Sequence, residues 1–191
     1  GKIGLDLCLL AQTEIAEVSD GSAGGSSTMP QKSNPVLSET LVSAANVNAG
    51  LLAAIHQAAI QEQERGGAGW TAEWLTLPQM VTLTGTALRH AESITEALEA
   101  RPETMRKNLA AAGGTLLAEA AAFALAAHMP HDQAQALVAA ACREALQSGR
   151  HLIDVLEAST NAPLDWNKLH NPANYLGVSD EFISRALRNT A

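Results

Sequence analysis

Aromatic side chains are nearly missing from this sequence, with three Trp, one Tyr and two Phe among 191 residues. β-Branched and aromatic runs, the usual material of strands, are scarce as well, which argues against a sheet-built fold. There are only two cysteines, Cys8 and Cys142, far apart and without CxxC or Cys/His spacing. That pattern indicates neither a disulfide framework nor a zinc site, and reduced thiols in a cytoplasmic protein are expected. Positive charge is also short: 12 Lys and Arg against 20 Asp and Glu give a net charge of −8. With no Lys/Arg run, the basic footprint of a nucleic-acid binder is absent. An acidic chain can still hold an anionic substrate through a few locally placed cations or N–H groups. No uninterrupted apolar run approaches the ~18–20 residues of a membrane span, so no membrane association is expected, and no signal peptide is evident.

What the sequence has in quantity is Ala and Leu, both strong helix formers, and the expected class is all-α. Residues 3–18 place Ile3, Leu7, Leu10, Ala11 and Ile15 at helical spacing with no cap before them, so the chain is expected to begin inside a longer protein. Residues 19–27 are glycine- and serine-rich without apolar period and form a loop. That loop runs on to Pro35, which suits a first helical turn capped by Ser33 or Asn34.

A helix is predicted over 36–64. Leu37, Leu41, Ala44, Asn48, Leu51, Ile55 and Ala58 alternate by four and three, a heptad seam, and Val42, Ala45, Ala49, Leu52 and Ala59 form a second apolar stripe. After Arg65-Gly66-Gly67, a second long helix is predicted over 70–98 with its seam at Leu77, Val81, Thr84, Leu88, Ala91, Thr95 and Leu98. Pro78 predicts a kink in it. From Arg101-Pro102 the helices shorten, to 103–112, 115–129, 132–148, 151–158 and 179–190. The expected organisation is a long-helix bundle portion over 1–100, carrying the loop 19–35, and a small helical domain over 101–191. Two long helices with two apolar faces each cannot cover one another alone, so a homo-oligomer is expected.

One stretch carries chemistry. Gly25-Ser26-Ser27-Thr28-Met29-Pro30-Gln31-Lys32-Ser33-Asn34-Pro35 sets flexible glycines, a lysine and an amide donor just ahead of a helix N-terminus, an anion-binding arrangement. It lacks the spacing of a phosphate-binding P-loop. The segment resembles the GSSxMPxKxNP signature of the fumarase/aspartase superfamily. Three more segments are similar to those of its 3-carboxy-cis,cis-muconate cycloisomerase branch: Gln61-Glu62-Gln63-Glu64-Arg65, Trp70 to Pro78, and Asn171 to Gly177.

The resemblance implies a long-helix bundle and a homotetramer whose active sites are assembled from several subunits. It implies a small tricarboxylate substrate, with no metal or organic cofactor. It implies a C-terminal portion of an enzyme, inactive alone, because a second proton-transfer residue, a histidine, belongs to the N-terminal part. Ser26 matches the proton-transfer residue; Lys32 and Asn34 match substrate-carboxylate positions, with Thr28 beside them; Ser27 is open between carboxylate donor and structural role. The implied reaction is intramolecular addition of a carboxylate to an alkene, giving γ-carboxymuconolactone in protocatechuate catabolism by the β-ketoadipate route.

The motif also departs from the branch. Gln31 and Ser33 stand where His and Arg are common, and Gln31 is nearer the argininosuccinate lyase pattern. A fumarate-releasing adenylosuccinate- or argininosuccinate-type lyase is therefore the alternative, and a non-catalytic helical scaffold is the alternative of another class.

Other candidates are weaker. Glu62, Glu64 and Arg65 at a helix end, with Trp70 beyond them, either line the cleft or make a solvated end with ion pairs of ~0.2–1 kcal/mol. Trp70 and Trp74, four apart, are core packing or a wall for a planar substrate. His56, His90, His128, His131, His151 and His170 show no ligand spacing and are taken as structural or exposed. Tyr175 is read as an anchor of the small domain.

Overall fold

The computed structural model describes residues 1–22, 24–25, 33–64 and 66–188, with the backbone alone at 24, 25 and 33. The chain divides into two compact units, Gly1–Met105 and Arg106–Ala191. Nearly all regular structure is helical; the strands, among the described residues, are two-residue ladders.

In the first unit, α1 (Lys2–Leu10) packs on α2 (Val36–Ala58), and α2 pairs along its length with α3 (Gly67–Ala97). The seam expected on α2 is the buried one: Leu41, Ala44 and Ala58 are buried, and Leu37, Asn48, Leu51 and Ile55 are half-buried. The second stripe is more open, with Ala49, Leu52 and Ala59 exposed.

On α3 the expected seam is corrected. Leu77, Val81 and Leu88 are exposed, while Thr76, Met80, Leu83, Ala87 and Ile94 turn inward. α3 is apolar on two faces, and spacing alone does not tell which stripe meets the single neighbour this chain supplies. Pro78 lies inside α3, and the helix continues through it.

At their junction α2 stops earlier than expected, at Ala58 rather than residue 64, and α3 starts earlier, at Gly67 rather than residue 70. Gln61 ties the two helix ends: its Nε2 donates to the Ala58 carbonyl at 3.3 Å, and its Oε1 accepts the Gly66 N–H at 3.0 Å. A side chain thus takes over the end groups that a continuing helix would have used.

α1 also stops early, at Leu10 rather than residue 18. The polar run after Ala11 turns, Ala16 takes a left-handed φ of 51°, and the Glu17 N–H returns to the Leu10 carbonyl at 2.9 Å. The chain then enters β1 (Val18–Ser19), which pairs antiparallel with β4 (Glu99–Ala100) in the register Val18↔Ala100. Leu7, Val18, Leu41 and Ile94 form the small buried core beneath.

One expectation about apolar runs needs amending. α2, 23 residues long with a mean hydropathy of 1.2 in its most apolar window, reaches the length and composition of a membrane span. Only 17% of that window is buried within the chain. Ser38, Glu39, Asn46 and Asn48 interrupt it, and Asn48 donates to the Thr84 hydroxyl of α3 at 3.0 Å.

The second unit holds α4 (Pro102–Ala111, most of it), a 3₁₀ turn Thr115–Leu117, α5 (Ala118–Ala126), α6 (His131–Ser148) and α7 (Leu152–Ser159). Its core is Leu117, Ala121, Leu125, Ala134, Val138, Ala141 and Leu152–Leu156 without Asp154. A helix the sequence reading lacks, α8 (Trp166–His170), is capped by Asp165, which accepts the Lys168 N–H at 2.9 Å. A 3₁₀ turn, Pro172–Tyr175, follows, and the Tyr175 hydroxyl reaches the Leu169 carbonyl at 3.5 Å. α9 (Ser179–Arg188) closes the described chain, with Phe182, Ile183 and Leu187 exposed.

Candidate active site

The signature loop enters and leaves the described chain through a narrow base. β2 (Gly24–Gly25) pairs antiparallel with β3 (Ser33–Asn34) in the register Gly24↔Asn34 and Gly25↔Ser33. Beneath that ladder lies Asp20, only 2% exposed. Its Oδ1 accepts from the Ser22 N–H at 3.0 Å and from the Ser22 hydroxyl; its Oδ2 accepts from the Ser38 N–H at 3.2 Å and the Ser38 hydroxyl at 2.7 Å. Burial by itself would push this carboxyl up, but the hydrogen bonds from Ser22 and Ser38 favour the ionised form and hold it below the ordinary value.

The N-cap position of α2 is Pro35, which makes no side-chain cap bond. Neither Ser33 nor Asn34 takes that position. The carboxylate that reaches a free N–H of the first turn is Asp20, and it also sets a negative charge against the positive helix end. Its position is fixed from behind. Gly21 has φ 73°, and a Cβ there would lie 2.4 Å from the Ala97 Cβ at the end of α3. Only glycine admits both that conformation and that approach.

Asn34 is half-buried, its backbone held in the ladder and its carbonyl accepting the Ser22 hydroxyl at 3.4 Å. Its side chain therefore departs from a fixed frame beside a helix N-terminus. Ser26, Ser27, Thr28 and Lys32 lie outside the described residues, as does Arg65.

The second group of candidates sits around the α2–α3 turn. Glu62 and Glu64 are exposed, and the Glu62 carboxylate rests against Gly66. Trp70 and Trp74 meet edge-to-face, ring centroids 5.3 Å apart, and both are exposed, so they are not core residues within this chain. The better-tied residues are Gln61 and Glu73: the Gln61 amide, already bound to both helix ends, also reaches the Glu73 carboxylate at 3.4 Å.

The structure does not bring the two groups together within one chain. Asn34 precedes α2 and Glu62 follows it, and a 23-residue helix spans roughly 34 Å.

Sequence reasoning missed Asp20, Ser22 and Ser38, because nothing local marks an aspartate that caps a helix from 18 residues upstream. Gln61 and Glu73 were within the segments that carry the resemblance, and their pairing across the glycine turn was the available signal.

In the second unit His151, Asp154 and His170 come within 4.8 Å of one another through their ligand atoms, a cluster that spacing did not reveal. The two imidazoles are stacked, centroids 3.8 Å apart and planes 14° from parallel. Stacked rings direct their in-plane lone pairs side by side rather than toward one point, so this arrangement does not suit a single ion.

Sequence models of two families match parts of the chain: "Lyase" over residues 1–50 and "Adenylosuccinate lyase C-terminus" over 114–186. A 3-carboxy-cis,cis-muconate cycloisomerase of Acinetobacter baylyi is 37% identical over 98% of this chain and 44% of its own length. That of Pseudomonas aeruginosa is 42% identical over 98% of this chain and 42% of its own. The crystal structure of the 3-carboxy-cis,cis-muconate lactonizing enzyme of Pseudomonas putida superposes with a TM-score of 0.81 at 38% identity, covering all of this chain and 44% of that one. This chain spans less than half the length of these relatives.

Proposed function

The chain belongs to the fumarase/aspartase superfamily, and from that premise we propose that the whole protein is a 3-carboxy-cis,cis-muconate cycloisomerase of protocatechuate catabolism. The observation that carries this reading is the similarity to cycloisomerases across nearly the entire chain, both units included.

In the proposed reaction one substrate carboxylate oxygen attacks the conjugated alkene and forms the ring C–O bond. The alkene electron pair moves to the carbon next to a second carboxylate and delocalises into it. Ser26 serves in the proton transfer to that carbon, leaving the γ-lactone. Lys32 and Asn34, just ahead of α2 in the sequence, hold substrate carboxylates, and Ser27 and Thr28 belong to the same signature. Donors fixed before the reaction stabilise the developing enediolate without reorganising. The clamped loop base supports this role by fixing where Asn34 and the first turn of α2 begin. The proposed reaction needs no metal or organic cofactor.

The two candidate groups lie at opposite ends of α2. A site containing both requires a neighbouring copy running antiparallel, so we propose a cytoplasmic homotetramer with shared active sites. The exposed stripe Leu77, Val81 and Leu88 is apolar surface for such a neighbour.

An ultraviolet assay of the whole protein with 3-carboxy-cis,cis-muconate, beside Ser26→Ala, tests the reading. Loss of substrate absorbance is expected, with a drop of about 10²–10⁴-fold in the variant. Gln31 and Ser33, where His and Arg are common in cycloisomerases, favour a second reading, an adenylosuccinate- or argininosuccinate-type lyase. Fumarate release from a succinyl substrate, with no lactone formed, would establish that one. A non-catalytic scaffold is disfavoured by the intact Ser26, Lys32 and Asn34.

A further inference from the structure

The second unit contains a cavity of about 320 Å³, lined by Arg106, Leu109 and Ala110 of α4, by Gly114, Leu116 and Leu117 of the following turn, and by His151, His170 and Pro172. Its volume falls in the range of small-molecule sites, which pair an apolar lining with a few polar groups. The polar side chains here are all nitrogen groups, one guanidinium and two imidazoles, and no carboxylate lines the cavity. In a chain of net charge −8, Arg106 puts a positive charge at this cavity, although the Asp154 carboxylate stands beside both imidazoles.

The tautomer of His151 is set by the backbone. Its Nδ1 accepts the Ile153 N–H at 3.3 Å, so the neutral ring carries its proton on Nε2, which is a donor. Gly114 makes room for that edge. Its φ is 77°, and a Cβ there would stand 2.3 Å from the His151 Nε2. His170 is oriented by Asp154, whose Oδ1 lies 3.4 Å from its Nε2. Arg106, which holds an interaction of its own, brings a guanidinium with five N–H donors to the lining.

We propose that this cavity binds a small carboxylic acid anion with a compact apolar body. The carboxylate meets Arg106 and the His151 Nε2–H; the hydrocarbon part lies against Leu109, Leu116, Leu117 and Pro172. The proposal rests on residues of the second unit alone and does not depend on the reaction assigned above.

Cyclohexanecarboxylate is a suitable probe, with cyclohexanecarboxamide as its neutral counterpart. Titration of the full chain, followed by the imidazole C–H resonances of His151 and His170 in NMR, should give a saturable shift with the acid and little with the amide. Arg106→Gln is expected to weaken the acid by about tenfold or more, as for loss of a charge-assisted hydrogen bond. Leu116 is 68% exposed, so Leu116→Trp fills the mouth without entering the core and should abolish the shift while circular dichroism stays unchanged. Equal binding of acid and amide, or no saturable shift with the acid, would overturn the proposal, as would unaltered affinity in both variants.

Discussion

The Asp20 carboxylate caps α2 through Ser38, accepting both its N–H, at 3.2 Å, and its hydroxyl, at 2.7 Å, across the whole signature loop. The bonds join Asp20, ahead of the Gly25–Pro35 signature, to the first turn of α2 after it. Asp20→Ala leaves two buried Ser38 donors unmatched, and a loss of about 2–3 kcal/mol is expected by urea denaturation. Asp20→Asn keeps the shape and should cost less.

The same carboxylate makes stability depend on acid. Its folded value lies below the ordinary one, so its contribution is fully present above the unfolded carboxyl range near ~3.9 and is lost as pH falls through the folded value. Stability measured down that range should decline more steeply in the wild-type chain than in Asp20→Asn. Parallel profiles would remove Asp20 from the account.

His151 acts at higher pH. Burial, then the neighbouring His170, depress its value, and Asp154 opposes them only partly. The unfolded chain therefore takes the proton first, and stability falls as pH drops from about 6.5 toward the folded value. His151→Asn keeps an N-cap acceptor at α7 without titrating, and this slope should flatten in it. An unchanged slope would assign the effect to another group.

Asn48 sits in the α2 seam with its Oδ1 buried and without a hydrogen-bond partner among the described residues, while its amide donates to Thr84. Replacing both, Asn48→Leu with Thr84→Val, removes the bond and the unmatched oxygen together. Melting temperature should hold or rise, by roughly 0–1 kcal/mol equivalent, while the population of oligomers seen by light scattering becomes less uniform.

If active sites draw the loop from one copy and the α2–α3 turn from another, two damaged proteins can repair each other. Whole-protein Ser26→Ala and Glu62→Gln, each impaired alone, should recover measurable activity when refolded together, since some sites then receive neither lesion. Activity no higher than the average of the two would sink the shared site or the role of Glu62.

Much of the fold could be read from spacing, because burial imposes a period that the α2 seam of Leu41, Ala44 and Ala58 obeys. The α3 face could not, since Leu77 and Val81 are as apolar as Met80 and Leu83 and only the position of a neighbour separates them. Helix ends were misplaced for a related reason: the Gln61 side chain ends α2, and a left-handed Ala16 follows α1, neither announced by Gly or Pro. Around the loop, the motif singles out Asn34 as a candidate by chemistry, whereas Asp20 and Ser38 are joined only in space. The pairing of His151 with His170 needed the fold of α7 and α8 before it existed at all.

The β2–β3 ladder and the Asp20 clamp make a seal between the loop and the helical hairpin. Nothing within that seal has to change when residues 26–32 change, and closure entropy rises only slowly with loop length. The segment is thus a replaceable cassette. A lineage can rewrite that segment, as Gln31 illustrates, while the frame that presents it is kept.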